Sequence, residues 1–256
     1  KIGNDGTIET GTDYATAIGS YTVWKRVHVA TWWGGDAKVN CTFTTGGILR
    51  NLMNSGLCEI RLTYNVSIVG NSGNLEFSVR ANDSNGTQYL KMTSYDSGTH
   101  TSSWVDISTS QLYFYFQNHG SSTKESEVKD IGFEIRVKTT AGFSGSGTSA
   151  SPFLLENRAD FDLLAYRIQT GSTYVNQYFK VQPDNSNSQN GYIDMLGGNA
   201  SYGAYTPGGL YDSTSHGSFR GHLDGNNVQI RNLVISVGTD TARAALIGTA
   251  GDGAVI

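Results

Sequence analysis

The 256-residue chain is long enough for one large or two ordinary domains with a substantial buried core. Charged residues are only 16% and the formal net charge is −4 without a basic block, which excludes an electrostatic footprint for nucleic acid. With 32 Gly and only 3 Pro among abundant Ser, Thr and Asn, the profile is that of an extracellular β protein rather than a helical enzyme.

No apolar run reaches the roughly 18 residues of a membrane-spanning helix, so membrane insertion is not expected. The start, Lys1-Ile2-Gly3-Asn4-Asp5, is polar and carries no signal peptide, and the chain reads as a mature form or a fragment. Residues 1–20 have weak periodicity and read as an arm or an edge strand. From Tyr21 the alternation firms. Val23, Val27 and Val29 form one run, and Val39, Cys41 and Phe43 another. The clearest strand is 58–69, where Cys58, Ile60, Leu62, Tyr64, Val66 and Ile68 alternate with Glu59, Arg61, Thr63, Asn65 and Ser67. One face is core and the other wet.

Further strands are predicted at Leu75, Phe77 and Val79, then at 88–93, 104–107 and 112–116. The last in this half is Ile131, Phe133, Ile135 and Val137 alternating with Gly132, Glu134, Arg136 and Lys138. About eight strands with no convincing helix predict an antiparallel β-sandwich of jelly-roll type over 21–139. Cys41 and Cys58 both sit in strand runs and point inward. They form a disulfide if their strands are neighbours, or two buried free thiols otherwise.

Residues 140–152, rich in Gly, Ser and Thr, read as a flexible linker. After it comes the one good helix. Asn157 caps it, Asp160 follows three residues later, Phe161, Leu164, Ala165 and Ile168 share a face, and Gly171 stops it. A short amphipathic helix there would cover the open end of a stacked core.

Two more segments are strand-like around a tight corner. In 217–235, Phe219, Leu223, Val228, Ile230, Leu233 and Ile235 are apolar points around the turn Asp224-Gly225-Asn226. The order of aromatic, Gly, Asp-Gly-Asn and Ile-x-Asn-Leu-x-Ile resembles the GLUG-type repeat of bacterial surface proteins. Tyr178-Phe179-Lys180-Val181 and Tyr205-Thr206-Pro207-Gly208-Gly209 fall where that family carries other strands. Ala245-Leu246-Ile247-Gly248 with Gly251-Asp252-Gly253-Ala254-Val255-Ile256 is similar to the close of one repeat. The likeness covers about residues 145–256 and departs from the pattern at His222 and Gly209. It implies a right-handed β-helix over 153–256, capped by the helix.

For chemistry, no His-Glu-x-x-His or calcium-loop spacing is present, so no metal, cofactor or catalytic residue is expected. His216, His222, Asp212 and Asp224 are close in sequence and read as loop and turn residues. Asp160 and Asp162, two apart on a helix, point in different directions and make no glycosidase pair. Binding is easier to motivate. Trp32 and Trp33 lie in an apparent loop beside Asp36, and 112–116 is aromatic on both faces, so that either Tyr113 and Tyr115 or Phe114 and Phe116 must meet water, a neighbour or a ligand. Rings beside acids and amides suit carbohydrate, whose apolar faces stack while its hydroxyls hydrogen-bond. The alternative is that the indoles pack under loops.

Ile256 falls inside a repeat, which suggests an uncapped rung and self-assembly into a homopolymer through open β-edges. The sequence thus reads as an extracellular or cell-surface structural or adhesive protein without catalysis. A carbohydrate-binding module of an adhesin or phage tail fibre, with a glycan ligand, is the alternative. A fragment of a β-helix polysaccharide-degrading enzyme is the second.

Overall fold

The computed structural model describes residues 6–10, 20–29, 36–42, 48–69, 75–94, 98–118, 125–184, 191–197, 199, 202, 204–205, 218–235 and 245–256. The chain is mostly β and divides into two compact units, Lys1–Phe43 with Met53–Thr139 and Thr44–Leu52 with Thr140–Ile256.

The first unit contains β1 (Gly6–Thr10), β2 (Ser20–Val29), β3 (Asp36–Thr42), β4 (Cys58–Val69), β5 (Leu75–Ala81), β6 (Gln88–Ser94), β7 (Gly98–Thr101), β8 (Val105–Ile107), β9 (Gln111–Asn118) and β10 (Glu125–Val137). One sheet has the order β1-β2-β10-β4-β7, with β8 also on β4, and the other has the order β3-β9-β5-β6. Every pairing in both is antiparallel. In β4 and β10, Ile60 opposes Ile135 and Leu62 opposes Phe133, and all four side chains are buried. Phe77 and Phe114 are their counterparts in the other sheet. The rings of Phe114 and Phe133 lie 5.5 Å apart, so the two sheets face each other across this core.

On the other face of β4 and β10 the alternation delivers charge. Arg136 Nε meets Glu59 at 2.6 Å and Arg61 pairs with Glu134, both directly across the strands. Both guanidiniums lie over the Trp104 ring, Arg136 at 3.9 Å and Arg61 at 4.7 Å from its centroid.

One of the two cysteine alternatives is met here, and one expectation is corrected. Cys58 is a buried free thiol, its pKa pushed up to about 12 by burial, so the disulfide to Cys41 is not made. Their strands lie in different sheets. The stretch between β3 and β4 also holds a helix, α1 (Ile48–Asn54). Its apolar residues at 48, 49, 52 and 53 have helical spacing, but two turns are too short for that signal to stand out.

The second unit contains β11 (Phe153–Leu155), α2 (Arg158–Gln169), β12 (Tyr178–Val181), β13 (Tyr192–Asp194), β14 (His222–Asp224) and β15 (Gln229–Arg231). Here pairing is parallel. The order β11-β12-β14 aligns Phe153, Phe179 and Leu223 in one row, and β13 pairs β15. Isolated parallel bridges join Tyr205 to Ile235, Phe219 to Ala250 and His222 to Val255. Among the described residues these ladders form no closed or continuous solenoid sheet.

Phe179 is the centre of the packing. The rings of Tyr174, Phe153, Phe143 and Phe219 surround it at 4.9, 5.2, 5.4 and 5.7 Å. α2 begins with a capping box. Asn157 Oδ1 accepts from Ala159 N at 2.8 Å, and Asp160 Oδ2 accepts from Asn157 N at 3.2 Å. The helix is buried on more than its expected apolar stripe, because Arg158 and Asp162 are inside as well, 3% and 0% exposed. Arg158 Nε donates to Asp162 at 2.8 Å, and the same guanidinium donates to Met195 O. With its amide oxygen turned to that guanidinium, Asn51 of α1 accepts from Arg158 Nη2 at 2.9 Å and donates to Tyr202 O at 2.5 Å. The Arg158 guanidinium is satisfied in this way, as a buried charge requires, whereas Asp162 Oδ1 has no hydrogen-bond partner among the described residues.

Candidate functional site

In the β11-β12-β14 sheet, strand alternation sends Phe153, Leu155, Phe179, Val181 and Leu223 toward the packed rings. Their neighbours face outward. Parallel register then aligns the outward residues across strands. Leu154, Lys180 and Asp224 make one row, and Tyr178 stands beside His222 in the next. The row Leu154-Lys180-Asp224 floors an open groove of about 390 Å³. Ser149, Ala150, Pro152, Tyr178 and Gln182 line it as well.

The wall at 149–152 is built by the stretch expected to be a flexible linker, which is a hydrogen-bonded loop. Ser146 N and Thr148 N donate to Ser151 O at 3.0 and 3.2 Å, and Leu154 N donates to Ser144 O at 2.9 Å. Gly147 makes the geometry possible. Its φ is +74°, and an added Cβ would sit 2.4 Å from the Phe153 ring. The Gly147 carbonyl accepts from Tyr178 N at 2.9 Å, which joins the loop to β12.

Tyr178 is held in place by its neighbour. The His222 ring stacks on it at 4.4 Å with an interplanar angle of 10°, and Tyr178, not His222, lines the groove. Asp224 Oδ1 accepts from Asn226 N at 2.7 Å, an Asx turn that commits part of the carboxylate to its own corner. Asn226 Nδ2 in turn donates to Val181 O at 3.2 Å. The result is a half-buried aromatic ring, an ammonium, a carboxylate and an amide along one open groove. Such a set stacks on and hydrogen-bonds a polyhydroxylated ligand. Among the described residues no group of three or more His, Cys, Asp or Glu side chains is placed to hold a metal ion.

The residues expected from sequence to bind a ligand lie elsewhere. Trp32 and Trp33 fall outside the described residues. Asp36 opens β3 and pairs with Gln117, two residues beyond Tyr115 on β9. Tyr113 and Tyr115 do come together, their rings stacked at 6.5 Å, and the Arg80 guanidinium lies 5.9 Å from the Tyr115 ring. Tyr113, however, is only 6% exposed, and Tyr115 is half-buried. Phe114 takes the core side, as alternation allowed, yet Tyr113 on the opposite side is covered too. The groove residues Tyr178, Lys180 and Asp224 were read in the sequence only as strand and turn. The available signal was the polar-apolar alternation of Tyr178-Phe179-Lys180-Val181 and His222-Leu223-Asp224.

No family model and no curated protein matches the chain. Among solved structures it is similar to a CBM4 domain, with a TM-score of 0.33, 10% identity, and coverage of 51% of this chain and 86% of that one. It is also similar to the carbohydrate-binding module CBM6cm-2 of Cellvibrio mixtus lichenase 5A in complex with cellotriose, with a TM-score of 0.29, 13% identity, and coverage of 54% and 89%. A third is the exo-β-1,3-galactanase of Phanerochaete chrysosporium with galactose, with a TM-score of 0.29, 16% identity and 53% of this chain covered; the match spans 27% of that enzyme. At TM-scores near 0.3 these likenesses carry no argument about the site of this chain.

Proposed function

We propose that this chain is a non-catalytic, extracellular carbohydrate-binding protein whose site is the groove across β11, β12 and β14. The observation that carries the reading is the Tyr178 ring, braced by His222 at 4.4 Å and lining an open groove floored by Lys180 and Asp224. A braced ring offers an apolar sugar face a surface that loses little side-chain entropy on binding, and the flanking polar groups give the hydroxyls partners. The extracellular setting rests on the low charge and the Gly, Ser, Thr and Asn content.

In this reading the first unit is a jelly-roll sandwich, supported by its two antiparallel sheets. The second is the start of a right-handed β-helix of the GLUG kind, supported by the in-register parallel row Phe153-Phe179-Leu223 and the parallel bridges beyond it. Binding takes precedence over a purely structural role because the groove is a built site, whereas assembly through open edges rests on the sequence pattern alone.

The test is a glycan array with the 256-residue protein, followed by affinity electrophoresis of Tyr178→Ala and of the double variant Trp32→Ala, Trp33→Ala. The expected result is retention on at least one polysaccharide, weakened about tenfold or more in Tyr178→Ala and unchanged in the tryptophan variant. Loss confined to the tryptophan variant would move the site to the first unit. No retention at all would end the reading.

A further inference from the structure

The floor of the groove carries a charge sequence across its strands, apolar at Leu154, cationic at Lys180 and anionic at Asp224, in three successive register positions. Adjacent strands lie about 4.8 Å apart, close to the length of one pyranose ring, so a linear glycan laid across the strands meets these three side chains one after another. Lys180 is half-buried, and its ammonium has no ion-pair partner among the described residues, although Asp224 is its direct neighbour in the ladder. Asp224 Oδ1 accepts instead from Asn226 N in the Asx turn. The geometry points to a linear polysaccharide with an acidic sugar over Lys180 and a neutral sugar over Asp224, and this rests on the carbohydrate-binding reading of the groove.

One attraction and one repulsion set this preference. An ammonium without an ion-pair partner gains a charge-assisted hydrogen bond from a sugar carboxylate, which a hydroxyl supplies only weakly. A second carboxylate one position on would face Asp224 and be repelled. Neutral hydroxyls there instead donate to the Asp224 oxygens that the turn leaves over. Tyr178, beside Lys180, takes the ring face of the acidic sugar.

Isothermal titration calorimetry on the full chain tests this with three probes: hyaluronan oligosaccharides, in which acidic and neutral sugars alternate, polygalacturonate, in which every sugar is acidic, and laminarin, which is neutral. The alternating polymer is expected to bind about tenfold more tightly than laminarin, and Lys180→Met to abolish that margin. Asp224→Asn is expected to raise the affinity for polygalacturonate toward that for hyaluronan. Thermal melts of both variants should match the parent, since both side chains line open groove. Laminarin bound as tightly as hyaluronan, with binding lost in Tyr178→Ala, would overturn the acidic ligand class and leave the carbohydrate site standing. An acidic preference that survives Lys180→Met would overturn the role of Lys180. No binding of any glycan sensitive to Tyr178→Ala would overturn both the ligand class and the underlying reading.

Discussion

Asp160 shows how one side chain serves two demands. Its Oδ2 accepts from Glu156 N at 2.8 Å and from Asn157 N at 3.2 Å, which closes the capping box of α2. Burial nevertheless pushes its carboxyl up to about 6, outweighing those two backbone hydrogen bonds. The folded protein therefore holds this proton more tightly than the unfolded chain, where an aspartate titrates near 3.9. The stability it contributes is fully present below about pH 4 and is lost as the pH rises through about 6. Asp160→Asn keeps an acceptor for the cap but cannot titrate. The parent-minus-variant difference in urea unfolding free energy should then fall by about 2 kcal/mol between pH 4 and pH 6.5. A difference that stays flat over that window would mean the carboxyl is not buried as described. Asp162, two residues on, is also raised to about 6 by burial, against the pull of the Arg158 guanidinium, and is present in both proteins, so it cancels in the comparison.

Among the elements, the loop before β11 depends most on a single backbone conformation. Gly147 has φ +74° with the Phe153 ring 2.4 Å from where a Cβ would be, whereas Gly253 has φ +85° and open space around it. Gly147→Ala should cost about 2–3 kcal/mol, the left-handed backbone penalty plus displacement of the ring, and Gly253→Ala about 1 kcal/mol, the penalty alone. Equal shifts in the urea midpoint would show that Phe153 moves aside freely. The same contrast explains what sequence can reveal. β4, β10 and α2 were legible because eight or more residues repeat one period, or because a capping box marks the start. Three-residue strands such as β11 and β14 carry no period, and composition made their approach look like a linker. Strand-like runs at 178–181 and before the turn at 224–226 marked β12 and β14 as elements, but which strand lies beside which is a long-range fact, and it alone brings Asp224 beside Lys180. Tyr113 is a different case. Alternation tells which residues share a face of β9, not whether something covers that face, and Glu76 and Ser78 on the neighbouring β5 are buried as well.

At the scale of the whole molecule, chain order and packing part company at α1. Residues 48–52 of α1 lie in sequence between β3 and β4, two strands of the first unit, yet they pack as part of the second. Asn51 is the means. Its amide bridges the Arg158 guanidinium and Tyr202 O inside a node where Arg158 also holds Asp162 and Met195 O. Asn51→Ala leaves buried donors and acceptors of that node without a partner, which costs about 1–3 kcal/mol. The loss should appear far from residue 51 in sequence and close to it in space. By hydrogen exchange with mass spectrometry, amides of α2 and of the segment around Met195 should exchange about tenfold or more faster in the variant. Amides of β9 and of the β4–β10 ladder should keep their parent rates. Faster exchange confined to β4 and β10 would assign Asn51 to the first unit instead. The sequence then would be two consecutive domains, and α1 only the connection between two strands.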